Sequence, residues 1–198
     1  MTRLLCACLA LLPGLWACQK EIAAPGPEKI QAADTGYVRY EIKAGDHYCD
    51  KNDFRIIETT DMRFRVRFDS SAIYQTTDPA NQDDINKLYG FSDNNAAHHA
   101  FSARFGWRWS AGALRLFGYV YNNSIVESKE LQAVPIGADI ECSLRVTPAR
   151  YIFTVNGAVD SLPRRSVTQT AKGYQLYPYF GGDEAAPHTV RILIQDLK

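Results

Sequence analysis

The sequence predicts an all-β protein, in which two antiparallel sheets pack face to face as a β-sandwich of the jelly-roll type. Apolar and polar residues alternate with a period of two along much of the chain, and helical periodicity is almost absent. The clearest alternation lies in residues 61–69, where apolar residues at 62, 64, 66 and 68 alternate with mostly charged ones. One apolar and one polar face are typical of a strand in an antiparallel sheet. About eight to twelve such strands in about 165 residues indicate two packed sheets.

Turn-forming residues separate the predicted strands. Asn156-Gly157 is a strong hairpin signal, while Ser110-Ala111-Gly112 and Asn122-Asn123 bound the run between them. Residues 83–89 predict the one helical turn, which an aspartate could cap. The predicted strands cover residues 37–43, 61–69, 102–109, 113–121, 139–147, 151–155, a short segment near 159, 174–180 and 189–195.

The first eighteen residues have the layout of a secretory signal. Arg3 precedes an apolar run at residues 4–12, and the small residue Ala17 stands immediately before Cys18. The run is too short to span a membrane. The layout resembles the lipobox of bacterial lipoproteins, in which the cysteine receives a diacylglyceryl group. We therefore expect a signal peptide over 1–17, a lipidated Cys18 that starts a flexible tether over 18–34, and one β-sandwich domain over 35–198. The alternative is an ordinary cleaved signal that ends near a cysteine.

The residues after the lipidation site bear on location. Gln19-Lys20-Glu21 resembles the lysine-plus-acid signal that sends some lipoproteins of glycan-foraging Gram-negative bacteria to the outer face of the outer membrane. Ile22 stands where a second acid is common, so the match is partial. We expect an outer membrane lipoprotein at the cell surface, with the periplasmic face as the alternative.

The charge composition argues against one class of binding partner. The chain has 22 basic and 22 acidic residues and no basic stripe, which argues against nucleic acid as a partner.

Two cysteines, Cys49 and Cys142, lie in the predicted domain. An oxidising compartment permits a disulfide between them. Alternatively, Cys142 is a buried thiol, since it is in phase with apolar residues of its strand.

Five segments together resemble uncharacterised bacterial surface lipoproteins that have a concanavalin A-like sandwich. They are residues 88–93, 98–99, 102–107, 151–157 and 177–183. The resemblance implies the lectin- or glucanase-type jelly roll. Since these families have no agreed activity, it bears on the fold more than on the function.

Tyrosine rows are the main indication of a binding site. Tyr119 and Tyr121 occupy the phase of strand 113–121 opposite to its apolar core residues, and Tyr177 and Tyr179 form a similar pair. Aromatic faces suit the apolar C–H faces of sugar rings, and a tyrosine adds a hydrogen-bonding hydroxyl. We name Tyr119, Tyr121, Tyr177, Tyr179, Arg104 and His99 as candidate ligand-binding residues. The alternative is that loops or an oligomer cover this face.

Other polar groups carry weaker signals. His98-His99 is a poor metal pair if the segment is extended, because adjacent side chains then point to opposite sides. Asp139 and Glu141 share a strand face, as the carboxylates of some sandwich-fold glycoside hydrolases do, but the fuller acidic pattern is absent. The oxygen-rich loop 78–84 could hold calcium, although it lacks EF-hand spacing. We assign no catalytic residue, no metal ligand and no cofactor.

Three hypotheses of function follow. The first is a non-catalytic surface lipoprotein that binds carbohydrate or a glycan-bearing protein. The second is an enzyme, either a polysaccharide lyase or a glycoside hydrolase, in which Tyr119, His99 and Arg104 would serve as base and cation. The third is a structural or assembly lipoprotein whose aromatic face packs against another protein.

Overall fold

A computed structural model describes residues 36–198 of the chain. The expected signal peptide over 1–17, the lipidation site Cys18 and the tether over 18–34 lie outside the described residues and stay predictions. No helix within 36–198 has the length and apolar character needed to cross a membrane.

The described chain is all-β and forms two antiparallel six-stranded sheets. Sheet A has the strand order β1-β12-β3-β8-β9-β10, and sheet B has the order β2-β11-β4-β5-β6-β7. Two short 3-10 helices, Ser70–Ala72 and Pro79–Asp83, lie between β3 and β4. The strands are β1 Val38–Ile42, β2 Ile56–Thr59, β3 Asp61–Phe68, β4 Asn86–Ser92, β5 Phe101–Ser110, β6 Ala113–Asn122, β7 Ile125–Val134, β8 Ile140–Val146, β9 Arg150–Val155, β10 Ala158–Pro163, β11 Ala171–Leu176 and β12 Val190–Leu197. The predicted jelly-roll sandwich is confirmed.

Alternation along each strand sets the core between the sheets. In β3, Phe64, Val66 and Phe68 are buried while the residues between them are more exposed. Phe64 meets Phe105 of β5 edge to face, with ring centroids 5.4 Å apart. Trp107, two residues after Phe105 on the same face of β5, is fully buried. Burial of each such side chain contributes roughly 1.5–3 kcal/mol to folding.

The predicted helical turn over residues 83–89 is wrong. A 3-10 helix ends at Asp83, with Asp78 as its cap, and residues 86–92 form strand β4 in the middle of sheet B. Both faces of this strand are covered, so nearly all its residues are buried and no alternation marks it. The edge strands β2 and β7 were not predicted either. The segment predicted as strand 174–180 is β11 only to Leu176.

Hairpin turns join neighbouring strands where the backbone takes positive φ. Asn156 and Gly157 have φ of 47° and 86°, and Val155 pairs with Ala158, which confirms the two-residue hairpin. Ala111 and Gly112 turn β5 into β6 in the same way. The turn between β6 and β7 uses residues 123–124, one position later than the predicted Asn122-Asn123.

Cys49 and Cys142 are both buried and free, so the disulfide is not formed in this structure. Cys142 lies in phase with the buried residues Ile140 and Leu144, which fits the alternative of a core thiol. Burial raises the pKa of Cys49 to about 11, and a thiol protonated at neutral pH is a poor nucleophile.

Candidate functional site

A groove of about 450 Å³ lies on the face of sheet B that points away from the core; we call it the sheet B groove. Strands β4, β5 and β6 supply its base. The segments before β2, after β4 and after β11 supply its sides. Its lining includes Tyr48, Phe54, Lys87, His98, His99, Arg104, Tyr119, Tyr121, Tyr174, Tyr177 and Tyr179.

Arg104 forms the base of the groove. It points away from the core, yet it is only 6% exposed because the flanking segments enclose it. Its neighbour across the β4–β5 pair is Gly90, where a Cβ atom would collide with the Arg104 side chain. Within residues 36–198 no carboxylate forms an ion pair with Arg104, and its buried Nε has no hydrogen-bond partner. Burial lowers the pKa of Arg104 to about 10, so the guanidinium remains charged at neutral pH.

A β-bulge brings Lys87 into the same groove. The pairing of β4 with β5 shifts between Lys87 and Gly90, so that Leu88 and Tyr89 both point into the core. Residues 87 and 90, three positions apart, therefore share the groove face. Lys87 Nζ donates a hydrogen bond to the carbonyl of Gly181 (3.0 Å) and lies 4.9 Å from the centre of the Tyr119 ring. Burial, and next the charge of Arg104, lower the pKa of Lys87 to about 8.

Tyr119 and Tyr121 line the groove side by side on β6. Their ring centroids are 5.8 Å apart, and the Tyr119 ring also lies 6.0 Å from the Arg104 guanidinium carbon. Burial, followed by a hydrogen bond with the Tyr121 hydroxyl, raises the pKa of Tyr119 above its usual value. Phe117, in the same phase, is buried under Arg108 and does not line the groove.

Tyr177 and Tyr179 follow the end of β11 and occupy different surroundings. Tyr177 packs against the core, with its ring centroid 6.0 Å from that of Tyr40. Tyr179 contacts His47, whose ring stacks with it at 5.3 Å, and Tyr48, whose ring is nearly perpendicular to it at 5.0 Å. Tyr48 is 67% exposed, so an aromatic side chain lies open at the rim of the groove.

His98 and His99 lie together, contrary to the expectation for an extended segment. Residues 98–100 form a turn, and the two ring centroids are 4.1 Å apart. The Tyr174 hydroxyl accepts a hydrogen bond from the His98 backbone N–H (3.0 Å), which leaves it free to donate to His98 Nδ1 (2.9 Å). Burial, and next the charge of Arg104, lower the pKa of His98 to about 4. His98 is therefore neutral at physiological pH.

The six candidate residues of the sequence analysis all line this one groove. Four further lining residues were not predicted: Lys87, Tyr48, Phe54 and Tyr174. Lys87 could not be assigned to the groove because strand β4 was not predicted and its bulge breaks the alternation that would show which way Lys87 points. Tyr48 and Phe54 come from an irregular segment before β2, where no periodicity indicates which way a side chain points.

The other predicted polar groups lie elsewhere. Asp139 and Glu141 belong to the sheet A side, where Asp139 pairs with Arg67 (2.7 Å) and Glu141 with Arg63 (3.4 Å). In the loop 78–84, Asp78 caps the 3-10 helix by accepting from the N–H of Ala80. The described part of the chain contains no group of three or more His, Cys, Asp or Glu side chains placed to hold a metal ion.

Comparison with solved structures shows the fold. The alginate lyase AlyC3 superposes with a TM-score of 0.57 at 8% identity, covering 82% of this chain and 74% of that one. The catalytic domain of an endo-1,3-beta-glucanase (laminarinase) from Thermotoga petrophila RKU-1 gives 0.54 at 11% identity, covering 82% and 76%. The PL7 alginate lyase AlyA1 from Zobellia galactanivorans gives 0.53 at 10% identity, covering 88% and 84%. The chain shares the concanavalin A-like sandwich of these proteins.

No protein-family model matches the chain, and no curated protein matches it. Membership of a surface lipoprotein family therefore stays a prediction.

Proposed function

We propose that the sheet B groove binds carbohydrate, and that the domain acts as a glycan-binding module held at the outer membrane surface by a lipid on Cys18. The observation that carries the proposal is the convergence of tyrosine side chains from distant parts of the sequence on one open groove. Solved structures with the same fold include enzymes named for polysaccharides, which supports the choice of ligand class.

The groove has the chemistry that a sugar chain requires. Half-buried tyrosine rings offer apolar faces to C–H groups, while their hydroxyls remain available for hydrogen bonds with sugar hydroxyls. Tyr119 and Tyr121 lie on a strand of the sheet, and the ring of Tyr179 is in contact with two other aromatic rings. Side chains that are already ordered lose little entropy when a ligand binds.

Binding without catalysis is the simplest function of this site, but the groove also holds acid–base groups. Hydrolysis by two carboxylates requires a pair about 5–9 Å apart across the bond. In the described lining the only carboxylate is that of Asp53, and Asp139 and Glu141 lie on the other sheet. The geometry thus does not favour a glycoside hydrolase.

Elimination by a polysaccharide lyase is the second candidate function. A lyase requires a base for the proton next to the sugar carboxylate and a cation that stabilises the resulting negative charge. Tyr119 and His99, the candidate bases, lie in the same groove as Arg104, the candidate cation. A lyase forms unsaturated products, so the ultraviolet absorbance should increase with time when the protein is mixed with polyuronates. Unchanged absorbance across a panel of polyuronates would contradict the lyase function and leave carbohydrate binding as the remaining candidate.

Tyrosine substitutions test the binding proposal. We expect Tyr119→Ala and Tyr179→Ala each to weaken binding of a polysaccharide by about tenfold or more in calorimetry, which corresponds to about 1.4 kcal/mol. Tyr37→Ala is the matched control, because Tyr37 is also half-buried but belongs to the sheet A side, where it contacts Asp139. Equal affinity of all three variants and the parent protein would contradict the groove as the site.

A further inference from the structure

Arg104 and Lys87 place two positive charges in the sheet B groove, and the one carboxylate in its described lining, that of Asp53, is paired with neither. Both cations lie beside the Tyr119 ring, Lys87 Nζ at 4.9 Å and the Arg104 guanidinium carbon at 6.0 Å from its centroid. Within the described chain, neither side chain forms an ion pair with a carboxylate. The charge of Asp84 acts in the opposite direction to burial and Arg104 and raises the pKa of Lys87. One of the Asp84 oxygens accepts a hydrogen bond from the Asp183 backbone N–H.

The lack of a partner is unusual for a buried arginine. A buried charge without a partner costs several kcal/mol relative to water, and a buried hydrogen-bond donor without an acceptor adds about 1–3 kcal/mol. In Arg164, by contrast, the buried charge is compensated, because its guanidinium is paired with Asp93 at 2.8 Å. Arg104 has no such counter-charge, and after burial its own charge is the second cause that lowers the pKa of Lys87. An anion arriving in the groove would relieve both penalties.

We infer that the ligand of the sheet B groove is an acidic sugar chain, whose carboxylate or sulfate ester binds between Arg104 and Lys87. This inference rests on the proposed carbohydrate function and adds the class of sugar. The planar guanidinium can donate two parallel hydrogen bonds to such an anion, and the ammonium can supply a third. The tyrosine rings on either side then contact the sugar ring that bears the anion.

Matched pairs of polysaccharides test the requirement for an anion. Polygalacturonate and its fully methyl-esterified form have the same sugar chain, but the ester replaces the carboxylate charge with a neutral methyl ester. Dextran sulfate and dextran differ only in the sulfate. We expect the purified protein to bind at least one charged member about ten- to a hundredfold more tightly than its uncharged counterpart, the range for losing one charged hydrogen-bonding contact. Preference within the polygalacturonate pair identifies a carboxylate ligand, and preference within the dextran pair identifies a sulfate ligand.

Variants of the two cations locate the effect. Lys87→Met and Arg104→Met should each remove most of the charged-over-neutral preference. Arg104→Lys keeps a positive charge but loses the two-pronged donor, so it should retain part of the preference even if Arg104→Met fails to fold. Arg108→Met is the control, since Arg108 lies on the same strand but pairs with Asp83 and does not line the groove.

Titration of Lys87 provides a second signature. Its ammonium should lose charge as the pH rises from about 7 to about 9, because burial and Arg104 lower its pKa to about 8. Affinity for the charged polysaccharide should therefore fall over this range, and Lys87→Met should show no such fall. The other groups facing Lys87 are Arg104, Asp84 and Tyr119. Over this range Arg104 stays mostly charged, and Tyr119 stays protonated because its pKa is raised.

The results of these experiments distinguish the acidic ligand from the proposed carbohydrate-binding function on which it rests. Equal binding of charged and uncharged members, lost in Tyr119→Ala, overturns the acidic ligand and keeps the carbohydrate function. Binding of no polysaccharide overturns both. A charge preference that Lys87→Met and the Arg104 variants leave unchanged places the anion elsewhere and overturns the inference.

Discussion

Arg104 and Arg164 are both buried arginines of the same domain, but they have opposite environments. Arg164 donates from Nε to Asp93 Oδ2 at 2.8 Å, and from its remaining nitrogens to Ser166, Thr168 and Thr170. Tyr151 donates to the same carboxylate at 2.7 Å. This network ties the segment after β10 to the end of β4. At the scale of single residues, a satisfied buried cation indicates a structural role, whereas an unsatisfied one indicates a place for a ligand.

The Asp93–Arg164 pair should be strongly coupled to stability. Burial alone would raise the pKa of Asp93, but hydrogen bonds from Arg164 and Tyr151 outweigh burial and lower it. Asp93→Asn would leave the Arg164 charge buried without its partner, so we expect a loss of about 3–5 kcal/mol in the free energy of unfolding. Denaturant unfolding monitored by circular dichroism measures the change.

The control for that prediction is Glu141→Gln. Glu141 pairs with Arg63 at 3.4 Å, but about half of each side chain is exposed, so the loss should stay below about 1 kcal/mol. If both variants lose similar amounts, burial does not set the strength of the Asp93–Arg164 pair.

At the scale of elements, β4 decides whether the groove can form. Its bulge turns Lys87 toward the groove, and Gly90 leaves room for Arg104. Neither feature can be predicted from the sequence. A bulge breaks the period of two, and a strand covered on both faces has no alternation to detect. Residues 83–89 therefore resembled a helical turn.

Replacing Gly90 tests this role of β4. In Gly90→Ala the new Cβ would meet the Arg104 Cβ and the β5 backbone, so we expect a loss of about 2–3 kcal/mol in the free energy of unfolding and a displaced Arg104. Binding of the charged polysaccharide should fall with it, measured by calorimetry on the folded fraction.

Gly112→Ala serves as the comparison. Gly112 has open space around it but a φ of 70°, so alanine there should cost about 1 kcal/mol from backbone strain and leave binding unchanged. Intact binding in Gly90→Ala would mean that Arg104 does not need its close approach to β4.

At the scale of the whole molecule, the two outward faces of the sandwich differ in chemistry. Ion pairs lie on both sheets, such as Arg67–Asp139 on the sheet A side and Arg115–Glu130 on sheet B, but the tyrosine-lined groove with its two unpaired cations lies on sheet B. The alternation in residues 61–69 and 113–121 was enough to predict the sandwich and the tyrosine row of β6. It could not show which sheet carries the groove, because the walls come from irregular segments that only the folded chain brings together.

The central claim is that the tyrosines of the sheet B groove are open to solvent and become covered when a sugar chain binds. Hydroxyl-radical footprinting tests it directly, with and without the oligosaccharide that binds most tightly. We predict that Tyr48, Tyr119 and Tyr179 react in the free protein and are protected by the ligand, while Tyr37 reacts equally in both states. Groove tyrosines that are already unreactive in the free protein, or protection confined to Tyr37, would contradict the account.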